Sequence, residues 1–96
     1  MEWPLLAIVE IYFPGGTLPD ASAAAVETVL RTDGNVGNLS LHSDKMIFFI
    51  WSKDKIDYSI LDKVRDTLKK IPSPEFVISA NEYRKSEEKY NDKTVP

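Results

Sequence analysis

The single histidine of this 96-residue chain, His42, is followed directly by Ser43 and Asp44. A general base oriented by a neighbouring carboxylate is the chemistry such a group could support. A triad would also need a placed nucleophile and an oxyanion hole, and no spacing in the chain suggests either. The simpler reading of His42 is a solvated residue at the end of a strand. Metal chemistry has little to work with. With no cysteine and one histidine, a zinc set is missing. Asp54 and Asp57, or Asp62 and Asp66, could offer oxygen ligands, but Lys53, Lys55, Lys63 and Lys70 are interleaved with them and repel a cation. Pro14-Gly15-Gly16-Thr17 could cradle a phosphate ahead of a helix. It lacks the lysine and glycine spacing of a P-loop, and Leu18-Pro19-Asp20 separates the glycines from the helix, so a turn is expected. No catalytic residue, metal site or cofactor is therefore expected, and the chain reads as non-enzymatic.

The elements that would carry these residues follow from hydrophobic period and punctuation. Leu5 to Phe13 is a strand, apolar on both faces except at Glu10 and stopped by Pro14-Gly15-Gly16. Residues 20 to 32 form a helix, with Ala23, Val26, Val29 and Leu30 on one side, Asp20 or Ser22 as its cap and Gly34 placed for a left-handed end. Val36 to His42 is a weaker strand in which Leu39 and Leu41 alternate with polar residues. Ser43-Asp44 turns the chain into Lys45 to Trp51, apolar on both faces. Residues 57 to 71 are a second helix, with Leu61, Val64, Leu68 and Ile71 in line, Asp57 or Ser59 at its start and Pro72 at its end. Glu75 to Ala80 is the last strand. Residues 1–80 thus make one domain, and 81–96, with charges of both signs, reads as a flexible tail.

The order β-α-β-β-α-β is the ferredoxin-like pattern. It implies an α+β domain whose four-stranded antiparallel sheet carries two helices on one face, because right-handed crossovers place both helices on the same side. The first and third strands are then central, which agrees with their being apolar on both faces.

That agreement carries a consequence. Helices cover one side of the sheet, so about half of the apolar side chains of the central strands face away from them. Leu6, Ile8 and Tyr12 of the first strand, and Ile47, Phe49 and Trp51 of the third, are the set expected there. Either face of the third strand could be the open one. A sheet with a wet face normally alternates apolar and polar residues, and a large exposed apolar patch marks a binding surface. The expected function is a small interaction module that buries this face in a homodimer, or against another protein that it regulates or inhibits.

Composition narrows the partners. A net charge of −3 and a sequence pI of about 5.1 argue against nucleic acid. The apolar run near the start falls far short of the roughly 20 residues of a membrane span. Lack of cysteine suits a reducing compartment, so the expected location is cytoplasmic and no membrane partner is expected.

Two faint resemblances span most of residues 5 to 80. Ile11-Tyr12-Phe13 with Lys45 to Trp51 resembles the paired aromatic strands of RNA-recognition domains, which implies bases stacked on Tyr12 or Phe49. The glycines of that family's third-strand motif are absent. Pro14-Gly15 before a helix, Gly34-Asn35-Val36, and Leu68-Lys69-Lys70-Ile71-Pro72 resemble ACT-type regulatory domains, which implies small-molecule sensing. Phe13 stands where that family has a charged residue, and the helix begins five residues later than it does there. Neither resemblance identifies a family. Small-molecule sensing and single-strand binding stand second and third to protein interaction.

Overall fold

A strand apolar on both faces belongs in the middle of a sheet, and the two such segments of this chain are the central strands of the computed structural model, which describes residues 5–72 and 74–84. The elements run β1 (Leu5–Tyr12), α1 (Asp20–Leu30), β2 (Val36–Leu41), β3 (Lys45–Ser52), α2 (Ser59–Lys70) and β4 (Val77–Arg84). The sheet order is β2-β3-β1-β4 and the paired strands are antiparallel. This is the ferredoxin-like α+β fold.

Alternation along the central strands divides their side chains between the two faces. Ala7, Val9 and Ile11 of β1, with Phe13 one step beyond it, are fully buried, as are Met46 and Phe48 of β3. They meet Val26 and Leu30 of α1 and Ile60, Val64 and Leu68 of α2 in one core. The three apolar residues of α2 are spaced by four, which keeps them in one stripe. Ile56, just ahead of α2, joins the same cluster.

The turns hold the strand ends in register. Gly16 adopts φ 89° and donates its N–H to the Phe13 carbonyl at 2.9 Å. Leu18 donates to the Ser43 carbonyl and Phe13 to the Asp44 carbonyl, both at 2.8 Å, so the loop after β1 is laced to the β2–β3 turn. His42 donates to the Lys45 carbonyl at 2.9 Å and closes that turn.

Four local expectations are revised. The left-handed end assigned to Gly34 is absent. Instead Arg31, Thr32 and Asp33 donate to the carbonyls of Glu27, Val29 and Leu30, so α1 tightens and winds down without a glycine. The left-handed non-glycine residue is Asn38, φ 58°, where β2 takes one extra residue between Gly37 and Ser40. The N-cap residues are Pro19 and Tyr58, and neither helix has a side-chain cap bond from them. Asp57 still accepts the Ser59 N–H at 3.0 Å beside the start of α2. Finally, β4 runs to Arg84, so residues 81–84, expected in the tail, belong to the sheet. The remainder of that tail, 85–96, lies outside the described residues.

Candidate interaction face of the sheet

The side of the sheet away from the helices is built in rows. Register places Tyr83, Leu6 and Trp51 side by side. The next row is Asn81, Ile8, Phe49 and Gly37, then Ser79, Glu10, Ile47 and Ser40, then Val77, Tyr12 and Lys45. All six residues expected on this face are therefore on it: Leu6, Ile8, Tyr12, Ile47, Phe49 and Trp51. The open question about β3 is answered by burial, since Met46, Phe48 and Ile50 are at most 2% exposed and point to the helices.

Within the face the central residues shelter one another. Leu6, Ile8, Ile47, Phe49 and Trp51 are half-buried, whereas Tyr12 is 40% exposed. Phe49 and Trp51 meet edge to face, with ring centroids 5.9 Å apart and planes at 81°, a favoured aromatic geometry. The Glu10 carboxylate lies 3.5 Å from the Lys45 ammonium, and both are about one-third exposed. This pair spans two rows and places both signs of charge inside an otherwise apolar surface. At such exposure it contributes little to stability, about 0–1 kcal/mol.

Two further apolar residues belong to the face, Val77, 51% exposed, and Tyr83, 41% exposed. The period-two pattern Val77, Ser79, Asn81, Tyr83 was their signal. The charged residues that follow Ala80 hid it, because they made the strand look finished.

The candidates for chemistry do not converge. His42 is exposed at its turn. The N–H groups of Gly16 and Leu18 are consumed by backbone carbonyls, so the glycine turn offers neither of these donors to a phosphate. Asp54 and Lys55 direct their N–H groups to the Ser52 hydroxyl, and Asp62 pairs with Arg65 at 3.5 Å. Among the described residues no three His, Cys, Asp or Glu side chains gather as a metal site, and no helix is long and apolar enough to cross a membrane. An open depression beyond α2 is lined by Arg65, Lys69, Glu75 and Phe76 among others, and mixes both charges.

Perturbed titration lies on the helix side. The Tyr58 hydroxyl donates to the Glu82 carboxylate. Burial, and then the bond to Glu82 and its negative charge, push the Tyr58 phenol up to about 12. The Ser59 backbone and side-chain hydrogen bonds hold the Asp57 carboxyl below its ordinary value, with Lys63 adding a smaller pull. Both groups support the start of α2.

Comparison with protein-family models, curated proteins and solved structures finds no match.

Proposed function

We propose that the chain is a small non-enzymatic interaction module whose open sheet face packs against the same face of a second copy, and that in this form it regulates or inhibits a partner protein. The observation that supports this reading is the gathering of eight large apolar side chains on one face, with no described element over them. Four strands spaced about 4.8 Å apart, three of eight residues and β2 of six, at about 3.3 Å per residue, present roughly 500 Å². Two such faces together bury about 1,000 Å², the lower bound for a specific interface. If half of that is apolar, burial favours association by on the order of 10 kcal/mol at about 25 cal/mol per Å². Association itself costs about 4–15 kcal/mol, so the fit of the aromatic rows decides the affinity.

Single-strand nucleic acid is another use for such a face, because Tyr12, Phe49, Trp51 and Tyr83 offer rings for stacking. The basic residue within those rows, Lys45, is already paired with Glu10, so the electrostatic term that drives such binding is weak.

Light scattering after size-exclusion chromatography, over a range of concentrations, tests the reading. Phe49→Lys should halve the native mass and leave a folded, soluble chain. A wild-type mass that equals one chain, 10.9 kDa, at every concentration overturns self-association. The cover must then be sought in another partner or in the chain's own remaining residues.

A further inference from the structure

The outer edge of β4 is a second surface, independent of the open face. Along an antiparallel pair, the residues that exchange hydrogen bonds alternate with those that do not. Phe13 donates to Asp44, and these two residues continue the β1–β3 register. Leu5, Ala7, Val9 and Ile11 therefore bond to β3, which leaves Leu6, Ile8, Glu10 and Tyr12 to bond to β4. Their partners are Tyr83, Asn81, Ser79 and Val77. The main-chain N–H and C=O groups of Ile78, Ala80 and Glu82 consequently point away from the sheet, and no described strand pairs with them.

The two edges of this sheet differ. Folded proteins blunt exposed edges with short strands, bulges, proline or lysine. β2 is so blunted, being six residues long and interrupted at Asn38. β4 is eight residues long, pairs with β1 without a register shift, and contains no proline, glycine or lysine.

We propose that β4 pairs antiparallel with β4 of a second copy about a two-fold axis at Ala80. In that register Ala80 meets Ala80, and Ile78 meets Glu82 of the second copy, as hydrogen-bonded pairs. Val77 then stands opposite Tyr83 in a close, non-hydrogen-bonded pair, and Ser79 opposite Asn81. The two exposed apolar residues of β4, 51% and 41% exposed, cover each other on both sides of the axis. Cross-strand aromatic and β-branched pairs of this kind are favourable. Charge selects the same register. An axis at Glu82 sets two carboxylates face to face, and an axis at Ile78, Ser79 or Asn81 leaves Val77 and Tyr83 apart. The product is one continuous eight-stranded sheet whose two open faces adjoin.

Native mass and amide exchange together test this. Ala80→Pro deletes an outward N–H and none of the bonds to β1, and proline is tolerated on an edge strand. Ala80→Pro should halve the native mass, and Phe49→Lys should halve it by the separate route. With both surfaces in use the wild type holds four chains, each variant two, and the double variant one. If only the face reading fails, Phe49→Lys leaves the mass unchanged while Ala80→Pro still halves it. If only the edge proposal fails, the reverse holds. Should Ala80→Pro not fold, exchange in the wild type decides. The amides of Ile78, Ala80 and Glu82 should be protected at high concentration and lose protection on dilution. Fast exchange at all concentrations overturns the proposal, and so does protection that ignores dilution, which assigns the edge to a segment of the same chain.

Discussion

The indole of Trp51 lies across the backbone of Gly37, so that a Cβ built at Gly37 would stand 3.3 Å from Cζ3 and 3.7 Å from Cη2 of the ring. Register sets Gly37 opposite Phe49, and Trp51, two residues further along β3, leans back over the gap that glycine leaves. The obstructing atoms belong to a half-buried side chain, so the ring yields before the strand does. Gly37→Ala should shift the indole by a few tenths of an ångström and change stability by less than about 0.5 kcal/mol. Gly37→Val should lift the ring off the sheet, cost about 1–2 kcal/mol as an overpacked site, and weaken self-association about tenfold, or ~1.4 kcal/mol. Urea midpoints and concentration-dependent light scattering separate the two effects. Association that survives Gly37→Val unchanged removes Trp51 from the interface.

Phe48 and Phe49 are adjacent and face opposite ways, which makes them a controlled pair. Phe48 is fully buried beneath the helices. Phe48→Ala should cost about 3–5 kcal/mol, a large share of the roughly 5–15 kcal/mol that holds a domain together. Phe49→Ala loses contact with Trp51 and part of its sheet neighbours, and should cost the single chain about 1–2 kcal/mol. Denaturation at a dilution where the native mass equals one chain measures both. Equal losses would place both rings in one core and contradict the division of faces.

The contrast between central and edge strands explains what the sequence disclosed. β1 and β3 were legible because they are apolar on both faces, and that pattern agreed with the central positions the β-α-β-β-α-β order assigns them. The facing of β3 was not legible, since Met46, Phe48 and Ile50 are as apolar as Ile47, Phe49 and Trp51. Only tertiary packing distinguishes them. β2 was read correctly in part. Its alternation placed Leu39 and Leu41 on one face, and the register agrees, since Ser40 between them lies opposite Ile47 and Leu41 lies opposite Met46 on the helix side. The extra residue at Asn38, which brings Val36 to that same side, had no signal. Leu39 packs on the core while Leu41 stays 57% exposed. The end of β4 was missed because strand pairing with Leu5 to Tyr12 overrides the charged composition of residues 81–84.

Asn38 carries a strain that its own side chain type relieves. Its φ of 58° lies in the left-handed region, which costs most residues about 1–2 kcal/mol but is open to glycine and asparagine. Asn38→Gly should therefore fold with stability within about 0.5 kcal/mol of the wild type. Asn38→Val should lose about 1–2 kcal/mol, seen as a melting temperature lower by roughly 4–8 °C per kcal/mol. If Asn38→Val melts with the wild type, the bulge has moved to another residue or vanished. The cross-strand contacts of Ser40 with Ile47 and Leu41 with Met46, read by NMR, would show which.

The bond from the Tyr58 hydroxyl to the Glu82 carboxylate ties the start of α2 to the second half of β4. Burial first, and Glu82 second, hold the phenol protonated up to about 12 against an ordinary value of 10.0. A group whose value is raised by folding contributes stability that is fully present below its unfolded value. That contribution declines as pH rises through the folded value. The window here is pH 10 to 12. Below it, Tyr58→Phe should cost about 0.5–1 kcal/mol, the worth of one largely solvated hydrogen bond to a charged acceptor. Across it, the wild type should lose stability faster than Tyr58→Phe, because the phenolate forms beside a carboxylate. Glu82→Gln keeps an acceptor but removes the charge, so its phenol should titrate between the ordinary and the raised values. Absorbance of the tyrosinate band, followed with urea midpoints at several pH values, reads both quantities. Identical pH profiles for wild type and Tyr58→Phe would show that Glu82 does not hold this hydroxyl in solution.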